Sequence, residues 1–237
     1  MPRVIYVTVD ADIAAGKTTL IARIIERLRW RVVVASEPVD KWHSTGLLTE
    51  MYKSLDAGPP HNEGVPAMFQ IYTFTTRTVG MVKAMREAEA LSDLIGDTVV
   101  LLSERSVFSD RDIFRHMLAE QGHITSVQQR MYDECFNDLI PTLVPNGTPD
   151  LCIWVDTKPA TCIQRHKIRA RDGEILTVDY AQALHERHEQ VFGSGTAKLG
   201  NATAPVLRID GSQPFHNDDA TLERIVADIE NAIERCV

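Results

Sequence analysis

Gly16, Lys17 and Thr18 stand between an apolar run with β character, residues 4–9, and a stretch whose apolar residues follow helical spacing. Backbone N–H groups at the start of such a helix, beside a lysine and a hydroxyl, suit a polyphosphate and Mg²⁺. The strict loop motif has a further glycine five residues before Gly16, where this chain has Ala11. If that position is left-handed, alanine costs about 1 kcal/mol there, which predicts weaker nucleotide binding rather than none. The alternative is a plain strand–helix junction with a surface lysine.

Acidic and basic side chains follow two further β-type runs, at residues 31–36 and 98–103. Glu37 comes directly after the first run and is a candidate general base for an attacking hydroxyl. Glu104 and Arg105 come after the second run. The carboxylate can hold Mg²⁺ or its waters, and the guanidinium can bind a hydroxyl and neutralise developing charge. Taken alone, Glu37 also fits a helix cap or a surface position, and Glu104 a salt-bridged loop.

Three arginines, Arg165, Arg169 and Arg171, fall within the segment RHKIRAR of an otherwise acidic chain. Arg165 and Arg169 are four residues apart and would share one face of a helix. Because guanidinium groups match phosphate oxygens, residues 165–175 are predicted to form a lid over transferring phosphates. A solvated basic face is the alternative.

The elements that must hold these residues alternate along the chain. Helical patterns separate five buried β-type runs, at residues 4–9, 31–36, 98–103, 151–156 and 204–210. This alternation predicts an α/β fold with a five-stranded parallel sheet, helices on both faces, and an active site at the carboxyl ends of the strands. Residues 43–66 predict a helix and then a turn-rich loop. Because the sequence has no repeat and no clear linker, residues 1–237 are predicted to form one domain, with the phosphate-binding loop at residues 10–18.

Composition favours a globular protein that acts on small molecules. The formal net charge of −8 disfavours nucleic acid as a partner, because phosphate contacts need clustered cations. No apolar run approaches the roughly 20 residues of a membrane span, so no membrane partner is expected. Because the phosphate loop comes so early, no cleavable leader is expected. Four scattered cysteines favour a reducing compartment, so a cytoplasmic location is expected. His185 and His188 could ligate a metal ion, but a structural role is the stronger expectation.

Six segments in order resemble the deoxynucleoside kinase family, the deoxycytidine and deoxyguanosine kinases and their multisubstrate insect and viral relatives. They are IAAGKTT, EPVDKW, MFQIYTFTTR, ERSVFSDRDIF, RHKIRAR and LHERHE, and they span nearly the whole chain. The resemblance implies a P-loop kinase fold with an Arg-rich lid, usually in a homodimer formed through a helix bundle. It also implies ATP as phosphate donor, Mg²⁺, and a 2′-deoxynucleoside as acceptor in nucleotide salvage.

The resemblance implies roles for the residues around the acceptor. Glu37 takes the proton of the 5′-hydroxyl with Arg105 beside it, and Gln70 pairs with the edge of the nucleobase. The other implied substrate-binding residues are Trp42, Phe69 and Phe114 around the base, Tyr52 and Glu174 at the 3′-hydroxyl, and Arg77 and Asp110 near the base.

The resemblance also implies a donor site, which takes in the phosphate loop, the lid and the loop that holds the adenine. Its residues are Ile13, Ala14, Ala15, Gly16, Lys17, Thr18, Thr19, Arg165, Arg169, Arg171, Gln213 and Phe215. Lys17, Arg165 and Arg169 join Glu37 and Arg105 as the implied catalytic residues. Thr18 and Glu104 are the implied metal ligands.

Two features bear on specificity. Arg77 and Asp110 match the ion pair of the deoxycytidine and deoxypurine kinases, which implies those substrates, although the relaxed specificity of viral relatives keeps thymidine possible. Thr73, one turn before Arg77, departs from the small residue of deoxycytidine kinase. Residues 10–12 are Asp-Ala-Asp in place of the family-like Glu-Gly-Asn, and carboxylates near a polyphosphate predict weaker donor binding.

Two other functions share parts of this pattern. A nucleoside monophosphate kinase, such as thymidylate kinase, has the phosphate loop and an Arg-rich lid. Its phosphate acceptor would favour a basic residue where this chain has Glu37. A non-catalytic nucleotide-binding protein with a degenerate loop is supported by Ala11 alone.

Overall fold

The computed structural model describes residues 3–59, 64–144, 147–171 and 173–236. Its strands form a sheet in the order β2-β3-β1-β4-β6-β5. The strands are β1 (Val4–Ala11), β2 (Arg31–Ala35), β3 (Val99–Glu104), β4 (Leu151–Asp156), β5 (Thr196–Leu199) and β6 (Ala202–Asp210). The pairs among β1, β2, β3, β4 and β6 are parallel, which confirms the predicted α/β architecture.

The sheet has six strands in the described part of the chain, and the prediction of five was wrong. The missed strand, β5, is a four-residue edge strand that pairs antiparallel with β6. Its residues alternate, with Thr196 and Lys198 exposed and Ala197 and Leu199 buried. So short an alternating stretch carries little apolar signal, unlike the continuous apolar runs of the parallel strands. Its lysine also protects the open edge from pairing with another chain.

Helices connect the strands and cover both faces of the sheet. They are α1 (Lys17–Ile24), α2 (Val39–Ser44), α3 (Leu47–Ala57), α4 (Val65–Ile95), α5 (Val107–Ser109), a π-helix (Asp110–Arg115), α6 (His116–Glu120), α7 (Ser126–Leu143), α8 (Pro159–Arg169), α9 (Val178–Phe192) and α10 (Asp219–Glu234). The predicted helix and loop at residues 43–66 therefore contain the end of α2, all of α3 and the first two residues of α4, and residues 60–63 lie outside the described residues. None of the described helices has the length and apolar character of a transmembrane segment.

Apolar side chains fill both faces of the sheet, which explains why its central strands are apolar throughout. On one face, Leu20 of α1 and Ile229 of α10 pack against the strands. On the other face, Phe74 of α4, Phe136 of α7 and Trp154 of β4 belong to one cluster, and the rings of Phe74 and Phe136 stack with centroids 5.5 Å apart. These layers bring the carboxyl ends of β1, β2 and β3 to one edge of the molecule.

Candidate active site

The loop between β1 and α1 turns through two left-handed residues, Ala14 (φ 62°) and Gly16 (φ 105°). Ala11 is not left-handed, because it is the last residue of β1 and pairs with Val155 of β4. The position at which the strict motif has glycine is therefore extended strand, where alanine carries no backbone strain. The strain falls on Ala14 instead and amounts to about 1 kcal/mol.

Gly16 lies against two residues predicted for the donor site. A Cβ atom on Gly16 would be 3.3 Å from the ring of Phe215 and 3.6 Å from the Arg165 guanidinium. That guanidinium donates to the carbonyl oxygens of Ala15 at 2.8 Å and Gly211 at 3.0 Å. Arg165 thus joins α8 to the phosphate loop and to the turn after β6, where Gln213 also lies.

Lys17 is buried between two carboxylates. Its Nζ is 3.4 Å from Glu37 Oε2 and donates to Glu104 Oε1, which also accepts from the hydroxyl of Thr18. Burial lowers the pKa of Lys17, although the nearby Glu37 opposes this effect. The adjacent oxygens of Thr18 and Glu104 are of the kind that Mg²⁺ uses together with waters and phosphates. Among the described residues, no group of three or more His, Cys, Asp or Glu side chains is arranged to hold a metal ion.

Glu37 lies among three cations. Arg77 Nη2 donates to Oε1 at 2.8 Å, Arg105 Nε is 3.4 Å from the same oxygen, and Lys17 faces Oε2. Burial raises the pKa of Glu37, but Lys17, Arg77 and Arg105 outweigh burial and hold that pKa well below its ordinary range. The carboxylate is therefore ionised and can accept a hydrogen bond from a hydroxyl.

Arg105 is held in place by its backbone and by its neighbours. Its φ of 65° is left-handed, and its guanidinium carbon lies 4.6 Å from the centroid of the Phe114 ring. The next residue, Ser106, begins α5 with a capping box to Ser109, whose hydroxyl donates to Asp10. Asp10, one of the two carboxylates that depart from the family pattern at the loop start, therefore faces α5.

A cavity of about 570 Å³, counting space open to solvent, lies beside Glu37. Its size is in the range of small-molecule sites. Ile13 and Arg171, predicted for the donor, also line it. The structure brings together in its wall all the residues predicted to bind the acceptor, namely Glu37, Trp42, Tyr52, Phe69, Gln70, Arg77, Arg105, Asp110, Phe114 and Glu174.

Part of the cavity wall is polar and buried. Arg77 Nε donates to Asp110 Oδ2 at 2.7 Å. Burial opposes the charge of Arg77, but Asp110 and Glu37 raise its pKa above the ordinary value. Gln70 is 2% exposed, and its Oε1 has no hydrogen-bond partner in the described part of the chain. Such an amide needs a ligand that can donate a hydrogen bond. The hydroxyl of Thr73 donates to the carbonyl of Gln70 at 3.0 Å.

The arginines predicted for the lid have different partners. Arg165 binds the phosphate loop, whereas Arg169 donates to Glu174 Oε2 and Arg171 Nη1 is 3.8 Å from Glu174 Oε1. Arg169 and Arg171 thus lie on the acceptor side of the site. Tyr52 also lines the cavity, and burial raises its pKa well above the ordinary value, so its hydroxyl can donate. Residue 172 of the predicted lid lies outside the described residues.

Asp12 contacts the two histidines of the segment HERH. His185 Nδ1 is 2.8 Å from Asp12 Oδ2, and His188 Nδ1 is 2.9 Å from Asp12 Oδ1. This arrangement was missed from the sequence because 173 positions separate Asp12 from His185.

Four cavity-lining residues were also missed, namely Val39, Leu48, Met51 and Tyr180. For two of them the sequence holds a signal. Leu48, Met51 and Tyr52 are spaced i, i+3 and i+4, so they share one face of α3 and reach the cavity together.

The sequence profile of the deoxynucleoside kinase family matches residues 7–234, and the chain therefore belongs to this family. It is 29% identical over 228 residues to a probable deoxycytidine kinase of Fowlpox virus (strain NVSL), covering 96% of this chain and 87% of the relative. It is 28% identical over 224 residues to mitochondrial deoxyguanosine kinase of Xenopus laevis, covering 90% and 83%. The predicted family is confirmed, and with it a kinase class that phosphorylates deoxynucleosides.

A solved structure supports the fold. Deoxyadenosine kinase from M. mycoides with bound dCTP matches with a TM-score of 0.68 at 18% identity, covering 96% of this chain and 100% of that chain. A second structure of that enzyme, described with the products dCMP and dCDP, matches with a TM-score of 0.70 at 19% identity. At these identities the likeness establishes the P-loop kinase fold alone.

Proposed function

We propose that this protein transfers the γ-phosphoryl group of ATP, in the presence of Mg²⁺, to the 5′-hydroxyl of a 2′-deoxynucleoside. The position of Glu37 carries the proposal. One of its oxygens is 3.4 Å from Lys17 of the P-loop, and the other accepts from Arg77 in the cavity wall. A single carboxylate thus connects the phosphate-binding loop at residues 10–18 with a cavity of nucleoside size.

In this proposal the transfer is direct and in line. The bond from the γ-phosphorus to the bridging oxygen of ADP breaks, a bond to the 5′-oxygen forms, and the proton of the 5′-hydroxyl passes to Glu37. Because the pKa of Glu37 is held low, proton transfer is expected late, as the new O–P bond forms. Lys17, Arg165 and Arg169 would stabilise the charge of the transferring group, with the lid placed at residues 165–175.

Thr18 and Glu104 are the residues that would hold Mg²⁺. Their oxygens share a hydrogen bond beside Lys17, at the start of α1. Two protein oxygens suit an ion that takes its other ligands from phosphates and water. When bound, the ion would neutralise charge on the donor phosphates.

Deoxycytidine and the deoxypurines are the proposed preferred acceptors, with thymidine as a weaker one. The support is the Arg77–Asp110 pair in the cavity wall, which resembles the ion pair of the deoxycytidine and deoxypurine kinases. The free Oε1 of Gln70 can accept from the exocyclic amino group of cytosine or adenine.

A homodimer in a reducing, cytoplasmic compartment completes the proposal. The support for a dimer is an exposed stripe along α7 at spacings of four residues, formed by Val127, Met131, Cys135, Leu139 and Leu143. A second copy would bury this stripe. The four cysteines are free thiols, as a reducing compartment favours.

The first experiment is to incubate the purified protein with Mg²⁺-ATP and, separately, deoxycytidine, deoxyadenosine, deoxyguanosine, thymidine and thymidylate. The products are separated by chromatography. Monophosphate formed from a deoxynucleoside is the expected result, and the rates rank the bases. Diphosphate formed from thymidylate alone would move the protein to the monophosphate kinases. No product from any acceptor would refute the proposed reaction.

A further inference from the structure

Asp12, His185 and His188 form a unit that we call the loop triad. An ionised carboxylate can only accept hydrogen bonds, so the contact of 2.8 Å with Asp12 Oδ2 requires a proton on His185 Nδ1. His188 Nδ1 likewise donates to the carbonyl of Leu184 at 2.8 Å while lying 2.9 Å from Asp12 Oδ1. The carboxylate of Asp12 is buried between the two rings, with a side chain only 3% exposed.

The second nitrogen of His185 faces another carboxylate. Its Nε2 is 3.9 Å from Asp156 Oδ1 at the end of β4. Asp156 in turn accepts from Arg208 of β6 at 2.7 Å, and Arg208 lies 3.4 Å from Glu189, one turn after His185 on α9. A second proton on His185 would therefore lie between the carboxylates of Asp12 and Asp156. The positive charge of Arg208, which is bound to Asp156, would disfavour that proton.

Helix α8 packs against α9 and adds Arg165 and Cys162 near the loop triad. Burial raises the pKa of Cys162 to about 12, so its thiol stays neutral. The hydrogen bond to Asp12 raises the pKa of His185 despite the opposing effect of burial. Burial opposes ionisation of Asp12, but His188 and His185 lower its pKa to about 2. Asp12 is thus ionised at neutral pH, and a second proton on His185 changes the net charge of the Asp12–His185 pair.

The loop triad joins the P-loop to α9. The carbonyl of Asp12 accepts from the N–H of Ala15 at 3.2 Å and so begins the turn that contains Ala14. This turn presents the backbone N–H groups that would meet a polyphosphate. With His185 neutral, its ring offsets none of the charge of the Asp12 carboxylate at which the turn begins. With His185 protonated, that charge is offset.

We propose that His185 is a positioning residue for the phosphate donor, and that the donor binds more tightly when His185 carries its second proton. The inference rests on the proposed function, because the donor is taken to be a nucleoside triphosphate. As pH rises through the pKa of His185, the ring loses the Nε2 proton and the charge of Asp12 repels the phosphates. By linkage, bound donor must raise the pKa of His185 by the same coupling.

The experiment measures the affinity of the full chain for Mg²⁺ with a non-hydrolysable ATP analogue, by calorimetry at about pH 6 and about pH 8.5, on either side of the range in which histidine titrates. The wild type is expected to bind about three- to tenfold more weakly at the higher pH, from one unit charge acting at partial burial. His185→Gln keeps an N–H donor for Asp12 and should bind weakly at both pH values. Asp12→Asn removes the charge and should bind well at both.

His116→Gln is the matched control. His116 is a partly exposed histidine beside Glu120, and its loss should leave the wild-type ratio between the two pH values unchanged. The ligand's own titration is common to all four proteins, so only differences between them count. NMR gives a readout that does not rely on the calorimetric affinities. The titration midpoint of the His185 ring should fall in Asp12→Asn, and in the wild type it should rise when the analogue binds.

The outcomes separate this inference from the proposed function. If His185→Gln or Asp12→Asn keeps the wild-type ratio, or if the bound analogue does not move the His185 midpoint, the inference is overturned while the kinase assignment stands. If the wild type binds no triphosphate analogue at either pH, the proposed function fails and the inference fails with it. Thermal melting of each variant identifies any that is unfolded, and the NMR titration of the wild type decides the matter without a variant.

Discussion

Arg77 and Asp110 form a buried ion pair, with Nε of the arginine 2.7 Å from Oδ2 of the aspartate, and both side chains are less than a tenth exposed. The same guanidinium donates to the carbonyl of Glu104 at 2.7 Å and to the carboxylate of Glu37 at 2.8 Å. One side chain of α4 therefore connects Asp110 of the cavity wall with Glu37, the residue proposed to activate the acceptor.

Removing one partner of this pair should destabilise the protein. Asp110→Ala takes one of its two carboxylate partners from the buried Arg77 guanidinium and is expected to lower the free energy of unfolding by about 3 kcal/mol, measured by urea denaturation. Replacing both partners, in Arg77→Met with Asp110→Ala, should recover much of that loss and shift relative kcat/KM toward thymidine. Glu50→Ala breaks an exposed pair with Lys53 and should cost less than about 1 kcal/mol. Equal costs for Asp110→Ala and Glu50→Ala would contradict this account.

Glu37→Gln tests the proposed base. Turnover is expected to fall about 10²- to 10⁴-fold, because the amide cannot accept the proton of the 5′-hydroxyl. Nucleoside affinity, measured separately by calorimetry, should change far less. Turnover near that of the wild type would remove Glu37 from this role.

The acid side of the pH–rate profile offers a second test of Glu37. Its pKa in the folded protein is depressed, so the carboxylate stays ionised as pH falls through the ordinary glutamate value of about 4.3. Any stability it contributes is present above the unfolded-state pKa and is lost only as pH falls through the lower folded-state value. A profile of kcat from about pH 5 to 8 should therefore show no acid limb assignable to Glu37. A limb near pH 5 that disappears in Glu37→Gln would contradict the depressed pKa.

Thr18→Val tests the proposed metal ligands. The variant keeps the shape of the side chain and removes the hydroxyl that bonds to Glu104. The Mg²⁺ concentration for half-maximal rate should rise by about tenfold, with much of the rate recovered at high Mg²⁺. Thr142→Val is the matched control, because it makes the same change at an exposed position of α7. The hydroxyl of Thr142 donates to the carbonyl of Asp138, and its removal should leave the Mg²⁺ requirement unchanged.

Met131→Glu tests the proposed dimer. Met131 is 59% exposed in the middle of the α7 stripe, so a carboxylate there would have to be buried without a partner in a dimer interface. Light scattering after size-exclusion chromatography should show a dimer for the wild type and a monomer for the variant. Leu94→Glu changes an apolar residue at the end of α4 that is 83% exposed, and its mass should match that of the wild type. A monomeric wild type would refute the dimer.

The sequence predicts the parallel sheet and the strand-end residues because both are local signals. A β-type run followed by Glu37 or by Glu104 places a carboxylate at a known edge of a parallel sheet. The motif specifies a residue type at position 11 but not a backbone conformation, so it does not reveal that β1 continues through Ala11. The strand β5 has too few residues for a pattern to stand out. The pairing of Asp12 with His185 depends on packing across distant parts of the chain, which no local pattern contains.

The long sequence separation between Asp12 and His185 has a consequence for the folding of the chain during its synthesis. Strand β1 is central in the sheet, and its neighbours β3 and β4 begin at Val99 and Leu151, far along the chain. Contacts of such long sequence separation close large loops and make folding slow. During synthesis, the phosphate loop emerges early but meets its supporting residues only after α9 has been made. A nascent chain that stops before α9 is therefore expected to lack a finished nucleotide site, even though it contains the whole P-loop sequence.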